Sequence, residues 1–399
     1  MNTQEGQQSD LEGGLRFKAG IPVILLIIMV LITNILSRSI LSPLLIRVET
    51  SFDISHGPAA QLFLYISVGY SIAMLLSGFV SSKLTHRGSI LLCSIVMSIG
   101  LAVMAAAPSI EVMRVGVFIM GAGSGLYPPS GIATITALIH KRDWQKALSL
   151  HEIGPHFGMV LAPLYANFML TNSTWRGTLA VLSGIVLIVG LLFFLLIKAG
   201  NFKGEAPTFK ALLPLFQEPN FWILMLFFGL GLASIQGIYL LVPTFLVSEA
   251  GFSLQAANRI FGISRFLPIV GLLTAGLVMD RIGVRRAVMV TVCGAGLAIL
   301  LMGILKGPFL VIAVFLQPAI GALFFPAGLA ALATVGPARS RNVSVSMVLP
   351  VSALIGTGLI PAFLGYMGDI VSFTAGFLIT GGIMMLLSFL SLVLRTGSS

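Results

Sequence analysis

Two arginines stand inside long apolar stretches of this sequence, where a charged side chain is costly. Arg38 and Arg265 each fall within a run that is long enough to cross a membrane. An ionisable group in hydrocarbon costs several kcal/mol, so both positions are candidate functional sites. A guanidinium is permanently charged and holds a carboxylate through two parallel hydrogen bonds. The chemistry that these two residues favour is therefore the binding of an anion.

Arg265 lies near the middle of its apolar run. The run begins near Ser253, so at about 1.5 Å per helical residue Arg265 is roughly 18 Å deep, from where its side chain reaches water with difficulty. Asn258, Gly262 and Arg265 share one helix face at spacings of four and three residues. No Asp or Glu precedes Asp280 in this run. Arg265 therefore either binds an anion or pairs with an acidic side chain on another helix.

Arg38 lies deep in the first apolar run. It is about 17 residues from the start of the run, or roughly 25 Å along a helix. Asn34, Arg38 and Ser42 are spaced by four residues and share one helix face. We expect this face to line a central cavity. The alternative is that the Arg38 guanidinium extends to the outer headgroups or forms a structural pair.

A carboxylate and two imidazoles form a second chemical group. Glu152 is the acidic residue that lies well inside a run, roughly 10 Å from its start. His156 follows one turn later on the same face, and His151 is adjacent in the sequence. A buried carboxylate and a histidine both exchange protons near neutral pH. Glu152, His151 and His156 are therefore predicted to carry a coupling proton, unless Glu152 only locks a conformation by pairing with an Arg or Lys.

The composition requires a membrane around these residues. The chain has 399 residues, of which 57% are hydrophobic and only 9% charged, too few charges to cover the surface of a soluble protein. A helix of about 20 apolar residues crosses about 30 Å of hydrocarbon. Twelve spans are predicted: 21–46, 57–81, 88–107, 112–138, 145–170, 175–198, 220–248, 253–279, 285–305, 308–335, 342–367 and 371–394.

The distribution of positive charge predicts the orientation of these spans. Sixteen Lys and Arg residues fall in the termini and loops of one side, and about five fall in the loops of the other. By the positive-inside rule both termini are cytoplasmic, in a multi-pass protein of the inner or plasma membrane. The polar N-terminus and the long first span argue against a signal peptide. Cys93 and Cys293 both lie in spans, so we expect free thiols.

One loop motif occurs twice. Residues 275–286 read AGLVMDRIGVRR, and a degenerate copy begins with Gly78, which lies 198 residues before Gly276. In the copy, Ser82 replaces the Asp and Thr85 replaces the second Gly. Two similar apolar halves indicate a duplicated transporter. The motif residues are Gly276, Asp280, Arg281, Gly283, Arg285 and Arg286, with Gly78, Lys83 and Arg87 in the copy.

This motif resembles the loop signature of the major facilitator superfamily, and the resemblance covers almost the whole chain. It implies an all-α membrane protein in which twelve transmembrane helices form two pseudo-symmetric six-helix bundles. The polar, Pro-bearing segment 201–219 then links an N-terminal bundle, 1–200, to a C-terminal bundle, 220–399. A central Arg on the eighth helix, such as Arg265, is similar to that of the superfamily's organic-anion and monocarboxylate carriers.

Two features bear on which members of this superfamily the chain resembles. Gly154 to Gly158 resembles the Gly-Pro motif of the proton-coupled antiporters, although Leu150 and Met159 stand where that motif has glycines. Val117 occupies the position of the arginine that the superfamily usually has in its fourth helix. Both departures weaken a direct analogy with the proton-coupled members.

Further polar residues lie in helices that line the cavity in this superfamily. A tyrosine hydroxyl there can donate to a carboxylate oxygen, although each residue has helix packing as an alternative role. The predicted substrate-binding residues are Arg265, Arg38, Asn34, Tyr70, Tyr127, Gln236, Tyr239 and Asn258.

Prolines predict bends in several spans. Pro128, Pro129, Pro155 and Pro326 lie within spans four, five and ten. They either bend helices that move between two transport states or accompany the small residues that let membrane helices pack closely.

These patterns favour a secondary transporter and not an enzyme. No nucleophile–base pair, Walker loop, dinucleotide fingerprint or metal cluster occurs in the sequence. We predict a carrier of a small organic anion, such as a monocarboxylate or similar acid, driven by proton symport. The alternatives are a proton-antiporting exporter of drugs or metabolites and a non-transporting membrane sensor. We expect a monomer in the lipid bilayer that binds a small anion and H+, without cofactor, metal or nucleic acid.

Overall fold

The computed structural model describes residues 14–205, 217–268, 281–332 and 341–394, with the side chains of 341–346 left out. Helices contain most of these residues, and an isolated bridge between Leu15 and Ile139 is the β contact among them. Nine helices within these ranges are long and apolar enough to cross a membrane. The described part of the chain is therefore a helical bundle of membrane-spanning length.

The first half of the chain contains the six predicted spans. Spans two and three share one continuous stretch of helical backbone that is interrupted only at Thr85. The helices are Phe17–Ser39, Leu41–Phe52, His56–Ala106, Ile110–Gly125, Tyr127–Leu138, Trp144–His151, Ile153–Asn172 and Trp175–Leu196.

The second half follows the same plan. Spans seven and eleven of the chain each contain a π-helical turn, Ala233–Gly237 and Leu354–Leu359. The two turns pack against each other. Span eight is described only near its start, because residues 269–280 lie outside the described ranges. The α-helices are Pro219–Leu232, Val242–Ser248, Leu254–Ser264, Val284–Ile304, Gly307–Ala322, Phe324–Leu332, Arg341–Ala353, Ile360–Ile370 and Phe373–Ser388.

The predicted bends occur at the prolines. Span four is interrupted at Leu126, just before Pro128 and Pro129, and span ten is interrupted at Leu323, just before Pro326. A proline inside a helix removes a backbone donor and clashes with the preceding turn, so the helix bends there. The two interruptions are 197 residues apart, as are Pro129 and Pro326. Each half therefore bends its fourth helix at the equivalent place.

The repeated loop motif has the same backbone in both halves. Gly283 adopts φ 75°, ψ 160°, and Thr85, 198 residues earlier, adopts φ 70°, ψ 164°. This conformation is nearly restricted to glycine. The Thr85 hydroxyl accepts a hydrogen bond from the Gly88 amide at 3.3 Å, and this cap on span three offsets part of the strain. Arg281, Arg285 and Arg286 are exposed, whereas Gly276 and Asp280 lie outside the described residues.

We expect Gly283→Ala to destabilise the protein by about 1 to 3 kcal/mol, because only the backbone conformation opposes a side chain there. No heavy atom of the described residues lies within 4 Å of an added Cβ. Gly382→Ala is the matched control, since that Cβ is equally free but the residue is helical. Thermal unfolding in detergent measures both variants. Equal melting temperatures for the two would contradict the assigned strain.

The segment after span six packs against the first copy of the motif. The carbonyls of Gly200 and Phe202 accept hydrogen bonds from the amides of Arg87, at 2.9 Å, and His86, at 3.1 Å. The Arg87 guanidinium lies over the Phe194 ring at 4.2 Å, and Lys83 is exposed. The start of the predicted linker is therefore attached to the first half, while residues 206–216 lie outside the described ranges.

Candidate substrate-binding site

A cavity lies between the two halves of the chain, and both intramembrane arginines line it. Its volume is about 20 Å³. It is therefore narrow in this conformation. The lining residues are Arg38, Ser39, Phe63, Ile66, Ser67 and Met159 from the first half, with Gln236, Leu240, Phe261, Arg265 and Thr357 from the second.

The surroundings of Arg265 explain how a positive charge is accommodated there. Arg265 is 2% exposed and directly follows the helix Leu254–Ser264, whose terminal carbonyls favour a cation. Its Nη1 donates to the carbonyl of Ile235, in the π-helical turn of span seven. Such a turn alters the regular backbone hydrogen bonding and is frequent at functional sites. The face of the guanidinium lies 3.7 Å from the centre of the Tyr239 ring.

Arg38 has a similar aromatic partner. Its guanidinium lies 4.0 Å from the centre of the Tyr70 ring. In the first half the arginine is on span one and the tyrosine on span two, whereas in the second half Tyr239 is on span seven and Arg265 on span eight. None of the close acid–base contacts among the described residues involves either arginine. The cavity therefore holds two cations whose described neighbours are aromatic rings, backbone and neutral polar groups.

Asn34 does not line this cavity, so its predicted position is wrong. It is 3% exposed, its amide donates to the Ser124 carbonyl at 3.2 Å, and the Ser124 hydroxyl donates to Oδ1 at 2.7 Å. Gln317 of span ten makes a similar bond to Ser234 of span seven at 2.7 Å, and Ser234 lies 200 residues after Asn34. These first-to-fourth-helix bonds hold each half together. Span four packs against this part of span one, and Ser124 holds the Asn34 amide inside the first half.

Tyr127 and Asn258 are also absent from the cavity lining. The Tyr127 hydroxyl is buried inside the first half, 3.2 Å from the carbonyl of Ile27. Asn258 lies where the halves meet, with its Nδ2 3.0 Å from Asn167 Oδ1 and 3.4 Å from the Pro43 carbonyl. The Tyr127 hydroxyl and the Asn258 Nδ2 therefore contact other groups of the protein, as the packing alternative anticipates.

Glu152 is exposed, so the expectation of a buried carboxylate is wrong. Its side chain is 69% exposed and lies 3.3 Å from Nδ1 of His151, which is buried. Nε2 of His151 is 2.9 Å from the Tyr127 hydroxyl. Glu152 separates the helices Trp144–His151 and Ile153–Asn172. The three side chains form a continuous line from an exposed carboxylate to a buried phenol.

Glu152 shares a helix face with residues that contact the cavity and the other half. His156, Met159 and Pro163 follow Glu152 at helical spacings of four, three and four. Met159 lines the cavity, and Pro163 packs against Gly262 of span eight. His156 lies on this helix face between Glu152 and the cavity residue Met159.

A family model described as the Major Facilitator Superfamily matches residues 27–271, which are more than half of the chain. The chain belongs to the Major Facilitator Superfamily. It is therefore an integral membrane protein of multiple spans.

The hexuronate transporter of Bacillus subtilis (strain 168) is 24% identical to this major facilitator over 282 residues. The match covers 66% of this chain and 65% of that protein, so the chain spans slightly less than two thirds of that relative's length.

Solved structures share the fold at low sequence identity. A variant of the nucleoside transporter NupG superposes with a TM-score of 0.78 at 18% identity, over 93% of this chain and 99% of that one. A bacterial homologue of the human lysosomal transporter Spinster gives 0.76 at 18%, over 96% and 98%. The D-xylose-proton symporter gives 0.76 at 16%, over 93% and 97%. These similarities show the major facilitator fold.

The halves of this major facilitator are joined at the end of the bundle that carries Asp369, called here the Asp369 end. The Asp369 carboxylate, at the end of span eleven, accepts hydrogen bonds from the Ser55 hydroxyl at 2.7 Å and from the amides of His56 and Gly57 at 2.8 Å. It thereby caps the N-terminus of span two in the other half. The His56 ring also lies 5.0 Å from that of Phe373. This end is closed.

The sequence prediction missed Ser67 and Thr357. Their hydroxyls are 2.9 Å apart across the cavity, between spans two and eleven. Ser71, one turn along span two, donates to the Pro350 carbonyl at 2.7 Å, again across the halves. The spacing of four between Ser67 and Ser71 is a signal that could have identified this face of span two.

The two cysteines are free thiols, as predicted, with Cys93 buried and Cys293 partly buried. Within the described ranges no group of three or more His, Cys, Asp and Glu side chains is arranged to hold a metal ion.

Proposed function

We propose that this major facilitator carries a small organic anion across the membrane by alternating access, with H+ as the coupled ion. The observation that supports it is the pair of guanidiniums, Arg38 and Arg265, which come from opposite halves and line one cavity without a described acidic partner. A buried cation without a counter-ion is costly, and an anionic substrate supplies one. A relative named as a hexuronate transporter fits an anionic substrate.

The halves move about this cavity in the proposed cycle. Residues 1–200 form one bundle, 220–399 form the other, and 201–219 link them. The closed Asp369 end faces outward and the end with Arg87 and Arg281 faces the cytoplasm, in agreement with the distribution of positive charge. The substrate binds to Arg265 and Arg38 in one state, and rocking of the bundles exposes it on the other side. The protein acts as a monomer in the inner or plasma membrane.

The coupled proton occupies the group next to Arg265. Glu152 exchanges protons with water between the halves, and His151 and His156 lie on either side of it in the sequence. His156 shares a helix face with Met159, which lines the cavity together with Arg265. Because a substrate anion at Arg265 attracts a proton bound on this face, the two ligands bind cooperatively.

We expect Glu152→Gln to abolish proton-driven accumulation of the anion while exchange of anion for anion persists. Glutamine has nearly the same size as glutamate but does not bind and release a proton. In proteoliposomes, uptake driven by a pH gradient should fall by about a hundredfold or more, from the lower end of the range over which positioned acid–base groups typically contribute. Exchange of external for internal substrate should change by less than about threefold.

Glu111→Gln is the matched control for Glu152→Gln. The Glu111 side chain is 68% exposed, against 69% for Glu152, and lies in the first turn of span four. It should leave both modes of uptake unchanged. Equal loss of gradient-driven uptake and exchange in Glu152→Gln, or no loss of either, would remove Glu152 from proton coupling.

A further inference from the structure

We propose that the substrate is a short dicarboxylate that binds with one carboxylate on Arg265 and the other on Arg38. This inference rests on the proposed function, because it concerns the same cavity. It narrows the small organic anion to one that carries two negative charges. It follows from which edges of the two guanidiniums the protein leaves unoccupied and from the charge of the cavity.

One edge of the Arg265 guanidinium is available to a ligand. Nη1 is used by the Ile235 carbonyl, and Tyr239 covers one face. Nε is buried and has no hydrogen-bond partner among the described residues. Leaving a buried donor without a partner costs more free energy than an ordinary hydrogen bond contributes. Such a donor is therefore expected to bind a ligand or a water molecule. The Nε edge can hold a carboxylate through two parallel hydrogen bonds.

Arg38 offers a second anion-binding group on the opposite wall. The Tyr70 side chain lies against its guanidinium, with the ring centre at 4.0 Å, and also accepts a hydrogen bond from it. A guanidinium has five N–H donors, so this tyrosine leaves others for a ligand. No acidic side chain among the described residues forms an ion pair with Arg38. The tyrosine therefore orients the guanidinium without neutralising it.

The charge of the cavity favours two negative groups over one. A monoanion on Arg265 leaves the Arg38 cation without a counter-ion when the cavity closes, and an unpaired cation in a closed, largely apolar cavity is strongly unfavourable. A dianion neutralises both arginines and attaches one end to each half. The substrate then bridges the two bundles, which gives its binding a direct effect on their relative position.

The narrowness of the cavity favours a short molecule. Its volume is only about 20 Å³ in this conformation, so the halves must separate to admit a substrate, and a short substrate requires the least separation. The lining also includes the amide of Gln236 and the hydroxyls of Ser67 and Thr357. The amide can donate to a carboxylate oxygen. The Ser67 hydroxyl is bonded to Thr357, whose own hydroxyl donates to the Ala353 carbonyl.

Succinate and monomethyl succinate distinguish one charge from two on nearly the same skeleton. We would measure both by isothermal titration calorimetry on the purified protein, at a pH at which succinate is fully ionised. Succinate should bind at least about tenfold more tightly, the effect of one additional charge-assisted hydrogen-bonded pair. In Arg38→Gln the advantage should fall below about threefold, while binding of monomethyl succinate should change little.

Arg114→Gln is the control, because Arg114 is partly buried but lies near Glu111 and Tyr65, outside the cavity. It should keep the full preference for succinate. Equal affinity for the two compounds in the native protein would overturn the dicarboxylate, and this outcome does not depend on whether the Arg38 variant folds. If the two compounds bind equally and monomethyl succinate requires Arg265, the dicarboxylate is excluded but the proposed carrier of a small organic anion is retained. If neither compound nor any other carboxylate binds, both proposals fail.

Discussion

Replacing Arg265 by alanine is expected to weaken binding of the substrate anion by about thirtyfold or more. Removing one partner of a buried, hydrogen-bonded charge pair costs about 2 to 5 kcal/mol, and every 1.4 kcal/mol is about tenfold in Kd. Arg265 is 2% exposed and lies against Tyr239 and the Ile235 carbonyl. Bulk water therefore has little access to this position and does not replace the guanidinium as a donor to the anion.

Arg265→Lys separates charge from geometry. The lysine keeps the positive charge but lacks the planar fork that binds a carboxylate through two bonds. We expect a loss of about tenfold, intermediate between native and alanine. Arg259→Ala is the matched control, because Arg259 lies on the same helix, is exposed and does not line the cavity. Full retention of affinity in Arg265→Ala would contradict the site, as would an equal loss in Arg259→Ala.

Replacing Asp369 by alanine is expected to open the Asp369 end. The substitution removes three hydrogen bonds that cross between the halves, from Ser55, His56 and Gly57. Because this carboxylate is exposed, we discount each bond and expect the closed state to lose about 1 to 2 kcal/mol in total. That shift changes the ratio of closed to open molecules by roughly fivefold to thirtyfold.

A cysteine introduced at a buried position near this contact would report the opening. Thr244 is fully buried in span seven, which packs against span one near the Asp369 end. Thr244→Cys, in a background without Cys93 and Cys293, should react with a membrane-impermeant maleimide faster when Asp369 is alanine, in proportion to the shift in population. Glu111→Ala should leave the rate unchanged, since the described contact of its carboxylate is with Arg114 in the same half. An unchanged rate in Asp369→Ala would show that this contact does not keep the end closed.

Periodic and repeated features were predictable from the sequence. The spans, the proline bends and the duplicated loop each depend on local patterns, which act wherever they occur in the chain. The backbone of Thr85 and Gly283 shows how far this extends. Two different residues, 198 positions apart, adopt the same conformation, and the motif spacing alone had aligned them.

Side-chain contacts across helices were less predictable. Asn34 and Arg38 share a periodic face in the sequence, yet Asn34 bonds to Ser124 and Arg38 lies on Tyr70. Periodicity gives the direction of a side chain only to within part of a helical turn, and which neighbour occupies that direction depends on the whole bundle. Asn258 and Tyr127 were misplaced for the same reason.

The exposure of side chains within the spans also could not be predicted from the sequence. Depth along a span predicted that Glu152 is buried, whereas its side chain is 69% exposed. The distance from a helix end does not show which side chains the neighbouring helices cover. The same limit applied to Ser67 and Thr357, whose hydroxyls meet only because spans two and eleven pack together.

The most direct test of the anion site is the melting temperature of the purified protein in detergent, measured against small carboxylates and lipophilic cations. A ligand that binds only the folded state raises the melting temperature by mass action. A carboxylate should stabilise the native protein and the Arg259→Ala variant but not the Arg265→Ala variant. Stabilisation by lipophilic cations alone, or an equal response of the Arg265→Ala variant to carboxylates, would contradict the site and favour an exporter of cationic compounds.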